Sequence, residues 1–205
     1  MLKRTRKAGK VSVRILSSKV AYRGPIFQVT SDQVREPGGI RTRRDIVRHS
    51  GSVVILAVDE GWKAGKLRGR RGVANREMRI LLERQYRYAA NQFLWELPAG
   101  RIDEGEDELP AAQRELLEET GFKAEHWRRV LYFYPSPGFL DETMAIYLAT
   151  GLKRGAAQLE ADEAIRTRFF PLSKAVTMVM NGKIADGKTI AGMLWLARKR
   201  GEKSP

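Results

Sequence analysis

Three glutamates, Glu115, Glu118 and Glu119, stand at i, i+3 and i+4 in the run PAAQRELLEETG (110–121). On a helix that spacing brings all three carboxylates to one face, about 5 Å apart. Unit charges at that distance repel by roughly 3 kcal/mol per pair at an effective dielectric near 20. Solvent and salt relax the repulsion on an open surface, whereas in a cleft it requires a cation. Hard divalent cations take oxygen ligands, commonly one or two carboxylates together with phosphate oxygens and water. The chemistry such a face offers is the holding of a hard divalent cation, which can neutralise the negative charge of a bound phosphate group. A solvated acidic helix face is the plainer alternative.

The elements around the glutamates can position them. Pro110 suits the first turn of a helix, where its missing N–H would be unpaired anyway, and Gly121 suits a left-handed stop. The residues between are good helix formers. The wider stretch GRIDEGEDELPAAQRELLEETGF (100–122) reads G-x5-E-x7-R-E-L-x-E-E-x-G-F and resembles the full signature of the Nudix hydrolases. Its seven fixed positions apart from the apolar Leu116 and Phe122 match by chance roughly once in 10^8 starts, judged from average residue usage. The resemblance implies Mg²⁺, with Mn²⁺ as the substitute. It also implies ligands at Glu115, Glu119 and the carbonyl of Ala99, with Glu118 bridging or one layer out. Glu106 and Arg114 correspond to an ion pair that locks loop to helix and takes no chemical step.

The flanks narrow the resemblance. ILLERQYRYAANQFLWELPAG, the downstream YPSPGFLDE and GKIADGKTIAG are similar to the ADP-ribose pyrophosphatase branch of that family. It implies ADP-ribose, or a related nucleoside diphosphate sugar, as the partner molecule, cleaved to AMP and ribose 5-phosphate. Arg87 would hold phosphates, a task that suits a fork of N–H donors. Glu96 would contact the terminal ribose or the metal surroundings, and Gly100, Pro137, Gly138 and Phe139 would shape the pocket. Phe27, Ile26 or the arginines at 41, 43 and 44 would form a wall for adenine, with plain core packing as the alternative for Phe27. The base that activates water falls in LEADEAI, where Glu163 aligns best and Glu160 is the rival; Glu118 is the remaining candidate. A hydrolase of GDP-mannose or ADP-glucose type, and a nucleotide- or RNA-binding module on the same scaffold, are the competing functions.

Composition sets the outer bounds. The chain has 205 residues, 42% hydrophobic and 30% charged, enough for one sizeable core with a small appended part. It has no cysteine, so no disulfide framework and no thiolate chemistry. No apolar run reaches membrane-spanning length and the N-terminus lacks a signal-peptide core, so a cytoplasmic protein without membrane partners is expected. The net charge of +14 is spread over ends and loops without a nucleic-acid-binding signature, so nucleic acid is not expected as a partner. His49 and His126 lack metal-ligand spacing.

Along the chain, residues 1–10 read as a flexible basic tail. Residues 11–49 form a β-subdomain with turns at Arg23-Gly24-Pro25 and Pro37-Gly38-Gly39, small enough to need a partner surface, expected to be a second copy in a homodimer. Residues 50–205 form the hydrolase domain. Strands are expected at 51–60, 78–88, 93–100, 127–134, 143–148 and 168–172, a loop at 61–77, an irregular stretch from 151 to Ile165, and helices at 173–184 and 187–200. The order implies an α/β fold with a mixed sheet covered by helices on both faces. The resemblance sharpens it to the Nudix α/β/α sandwich with a small N-terminal β-subdomain.

Overall fold

The computed structural model describes residues 13–60, 78–155 and 165–201. The basic tail, the glycine-rich 61–77 stretch and the acidic positions Glu160, Asp162 and Glu163 lie outside the described residues. The chain divides into two compact units, Met1–His49 with Ser136–Glu142, and Ser50–Pro135 with Thr143–Pro205.

The first unit is an antiparallel meander of β1 (Arg14–Arg23), β2 (Gln28–Arg35) and β3 (Arg41–Arg48). Its second hairpin turns at Gly38 and Gly39, both with positive φ, a conformation that glycine adopts without steric cost. Segment Ser136–Glu142, expected within the second domain, joins this unit instead. Val47 donates to the Phe139 carbonyl (2.8 Å) and accepts from the Asp141 N–H (3.1 Å). Arg48 binds Asp141 (3.0 Å), Asp32 (2.5 Å) and the Thr30 hydroxyl (3.0 Å). Backbone pairing and a shared guanidinium thus override chain order.

The second unit is built on a mixed sheet. Its strands are β4 (Ser52–Asp59), β5 (Arg79–Arg87), β6 (Gln92–Glu96), β7 (Ala99–Arg101), β8 (Phe122–Lys123), β9 (His126–Phe133), β10 (Met144–Thr150), β11 (Lys153–Arg154) and β12 (Arg166–Pro171). The helices are α1 (Glu108–Thr120), α2 (Leu172–Met180) and α3 (Gly187–Gly201). The main path runs β12-β5-β4-β10-β9, with β6 beside β5 and β7 beside β4; β8 and β11 pair separately. Only the β4–β10 pairing is parallel among the described strands.

Alternation along β4 organises the core. Val53, Ile55 and Ala57 face α1, packing with Leu81 and with Ala111, Ala112 and Leu116. Val54, Leu56 and Val58 face α2 and α3, packing with Ala175, Met178, Met193 and Leu196. A strand covered on both faces reads as an unbroken apolar run, as Ser52–Asp59 does. This is the α/β/α arrangement expected from the sequence. The expected single strand at 93–100 is two: β6 ends at Glu96 and β7 begins at Ala99. Pro98 lies between them, lacking an N–H for a ladder, and its carbonyl accepts from Ile55 (2.8 Å). Within 151–165, Lys153 and Arg154 form the short β11.

Candidate active site

Helix α1 holds its glutamates where Pro110 and Gly121 fix its ends. Pro110 sits in the first turn, and Gly121 adopts φ 69° while its N–H returns to the Leu117 carbonyl (2.9 Å). The Arg114 guanidinium gathers much of the surrounding charge. Nε and Nη2 fork onto Glu106 (3.1 and 2.9 Å), Nη2 also reaches the Arg101 carbonyl (3.1 Å), and Nη1 is shared by Glu115 (2.8 Å) and Glu118 (3.0 Å). Hydrogen bonding from Arg114 holds the Glu106 carboxyl below its ordinary range, and the arginine's own pKa is raised, led by its bond to Glu106. Gly100 allows this packing: a Cβ there would fall inside the Glu115 carboxyl group.

Glu119 sits against the start of the same short strand. It is 6% exposed and accepts the Ala99 N–H (3.1 Å), which ties the start of β7 to the last turn of α1. Among the described residues, no three acidic or imidazole side chains are already gathered around one point. The donor set nevertheless fits a hard cation. It is made of oxygen alone, and Glu83, which interacts with Glu119, has two buried oxygens without a hydrogen-bond partner among the described residues. Such a cation would be held by Glu119 and Glu115 with the Ala99 carbonyl.

Glu83 and Glu96 are register partners on β5 and β6, 0% and 1% exposed. Both oxygens of Glu96 are taken. Arg87 donates to it through Nε (2.8 Å) and Nη2 (2.9 Å), and the 8%-exposed Lys188 donates through Nζ. Burial pushes the Glu96 carboxyl up, but the Arg87 fork and the Lys188 ammonium outweigh it and hold the group below its ordinary range. Asp186 accepts from Lys188 (3.1 Å) and caps α3 through the Thr189 N–H (2.9 Å) and hydroxyl (2.5 Å). The Thr189 hydroxyl in turn accepts the Leu97 N–H (2.8 Å), fastening α3 to the end of β6. Glu83 differs sharply. Burial raises its carboxyl to about 7; Glu119 opposes the shift, Glu96 adds to it, and Lys188 and Arg87 oppose it. Glu83 and Glu119 meet as two acceptors, so a hydrogen bond joins them only when one holds a proton.

The expected site residues are thus distributed unevenly. Ala99, Gly100, Glu106, Arg114, Glu115, Glu118 and Glu119 converge where β7 meets α1. Arg87 and Glu96 are joined to each other, and Glu96 also accepts from Lys188. Phe27, Pro137, Gly138 and Phe139 belong to the first unit. Phe27 is partly exposed and packs against Tyr22 with ring centres 5.7 Å apart; Pro137 and Gly138 line a cavity with Asp32, Val34, Arg44 and Arg48; Phe139 is 55% exposed. Arg43 and Arg44 are occupied by Asp45 (2.9 Å) and Glu36 (2.8 Å). Sequence reading gave no role to Glu83 or Lys188. A glutamate closing the apolar run ILL of β5 was the available signal for the first.

Comparison with known proteins now decides the family. The NUDIX domain model matches residues 67–192. The chain belongs to the NUDIX family. It is 37% identical over 182 residues to an ADP-ribose pyrophosphatase of Mycobacterium tuberculosis, covering 87% of this chain and 80% of that protein. It is 30% identical over 189 residues to an ADP-ribose pyrophosphatase of Bacillus subtilis, covering 91% and 93%. A crystal structure described as an ADP compounds hydrolase matches with a TM-score of 0.70 at 19% identity, covering 91% of this NUDIX chain and 92% of its own. That likeness establishes the fold. No helix among the described residues is long and apolar enough to cross a membrane.

Proposed function

We propose that this NUDIX protein hydrolyses the pyrophosphate bond of ADP-ribose to AMP and ribose 5-phosphate, using Mg²⁺, or Mn²⁺ in its place. The observation that carries the reading is the 37% identity to an ADP-ribose pyrophosphatase over 80% of that protein's length, combined with an intact signature. When bound, the cation supplies positive charge that neutralises the pyrophosphate oxygens. The chain does the rest. Glu119, held by the Ala99 N–H, and Glu115, seated on Gly100, present carboxylate oxygens from α1. The Glu106–Arg114 fork keeps the preceding loop on the helix. Arg87 keeps one nitrogen outside its bonds to Glu96, and we assign it to a substrate phosphate. Glu96 positions that guanidinium rather than touching ribose. Glu163 is assigned as the base that takes a proton from the attacking water, with Glu160 and then Glu118 behind it.

We also propose a cytoplasmic homodimer. The described length of β1 is exposed throughout, and Ile15, Leu16, Val20, Tyr22, Ile26 and Phe27 of the first unit present apolar surface to solvent. A monodisperse 23 kDa species with full activity would refute the dimer.

The substrate assignment is tested by a panel of ADP-ribose, ADP-glucose and GDP-mannose, scored for release of AMP or GMP. ADP-ribose is expected to give the highest kcat/KM. Preference for GDP-mannose would replace the assignment with a nucleoside diphosphate-sugar hydrolase. Binding without turnover across the panel would point to a nucleotide-binding module.

A further inference from the structure

Glu83 is a fully buried carboxyl, unpartnered among the described residues, to which the proposed reaction gives no task. It lies on β5 two residues beyond Leu81, so the two side chains share a face, and Leu81 packs against Ala111, Ala112 and Leu116 of α1. The apolar stripe beneath α1 therefore continues into a carboxylate, and Glu119 is one of the side chains that interact with it. An apolar residue would suit that fully buried position, and a carboxylate there is costly unless it is paired. The two neighbouring cations do not pair it: Arg87 and Lys188 hydrogen-bond Glu96, with Lys188 also bonding Asp186. Both Glu83 oxygens are buried without a hydrogen-bond partner among the described residues, and Glu119 is among the groups that act on them.

We propose that Glu83 is a further carboxylate of the divalent-cation site, facing Glu119 from β5 while α1 supplies the remaining glutamates. The inference rests on the metal-dependent reading above. A cation that binds oxygen satisfies the two unpartnered oxygens of Glu83 beside Glu119, which the Ala99 N–H already holds. It also gives a reason for a glutamate in a strand otherwise buried as Ile80, Leu81 and Leu82. Glu83 enters the signature nowhere, because it comes from the sheet and not from the loop–helix segment.

The test is Mn²⁺ binding to the metal-free full-length protein, followed by loss of the free-ion EPR signal. The parent, Glu83→Gln, Glu119→Gln and the double variant are compared at one pH. Glu83→Gln is expected to weaken Mn²⁺ binding about 10- to 100-fold. Its metal-free melting temperature should be unchanged or higher, which a merely structural role would not produce. The double variant is expected to lose less than the product of the single effects, because the two carboxylates serve one ion. Glutamine is a neutral isostere that can still hydrogen-bond Glu119, so affinity within twofold of the parent would overturn the inference and leave Glu83 as a proton-sharing partner only. If Glu83→Gln does not fold, Glu83→Leu takes its place under the same criteria. A parent that binds no Mn²⁺ would sink the metal-dependent reading itself, a distinguishable outcome.

Discussion

Two regions of this protein solve the same problem, keeping glutamates beside an arginine, in opposite environments. On α1, Arg114 spreads over Glu106, Glu115 and Glu118 at a partly exposed surface. Between β5, β6 and α3, Arg87 and Lys188 close on Glu96 in a site where Glu96 is 1% exposed. Solvent screens the first cluster, and its geometry can yield when a ligand competes. In the second, Glu96 and Lys188 are shut off from solvent although Arg87 is not, so losing Glu96 leaves the Lys188 charge buried with only Asp186 beside it. The first region suits binding that must be reversible. The second is a fixed support that joins the edge of the sheet to α3.

The sharpest way to break that contrast is Glu96→Gln. It should cost about 3–5 kcal/mol in urea unfolding, the usual penalty for stranding buried charged partners. A cost under 1 kcal/mol would mean that the site is as wet as the α1 cluster. The pH profile supplies the sign. The Glu96 carboxyl is depressed in the folded protein, so its contribution is fully present above the ordinary value of 4.5 and is lost as pH falls through the folded value. Glu96→Gln should flatten that acid limb, and an unchanged limb would remove Glu96 as its source.

Next in size is Glu163→Gln, expected to lower kcat by about 10^2 to 10^4 with KM little changed, and Glu160→Gln should do much less. Steady-state ADP-ribose hydrolysis at saturating Mg²⁺ decides between them; a larger loss from Glu160→Gln would move the base by three positions. The smallest effect belongs to the exposed cluster. Glu106→Gln should cost about 1 kcal/mol or less, and that cost should shrink in 1 M salt, whereas the Glu96→Gln cost should not. Equal salt sensitivity of the two variants would erase the distinction.

The same contrast explains what the sequence could reveal. The α1 site was legible because its parts are close in the chain and follow helical spacing: Pro110 and Gly121 mark the ends and the glutamates recur on one face. The strand β4 was legible as an apolar run, and the hairpins of the first unit as Gly-Pro and Pro-Gly-Gly turns. The buried Glu96 site was not, since Arg87, Glu96 and Lys188 come from three elements and only tertiary packing brings the lysine to the carboxylate. Pro98 signalled a break within 93–100, but an apolar stretch on both sides hid it. Nothing local in Ser136–Glu142 indicates that its backbone pairs with Val47 and its Asp141 with Arg48.

The central claim is that the buried end of the α1 acidic face supports metal-dependent cleavage of ADP-ribose. Its most direct measurement is Mg²⁺-dependent product release by the parent and Glu119→Gln, with folding of both checked by circular dichroism. The parent should yield AMP and ribose 5-phosphate in equal amounts, stop on addition of EDTA and resume with Mg²⁺. Folded Glu119→Gln should yield neither product above background, because an amide cannot supply the ligand's charge. Near-parental turnover by Glu119→Gln, with Mg²⁺ still required, would contradict the account.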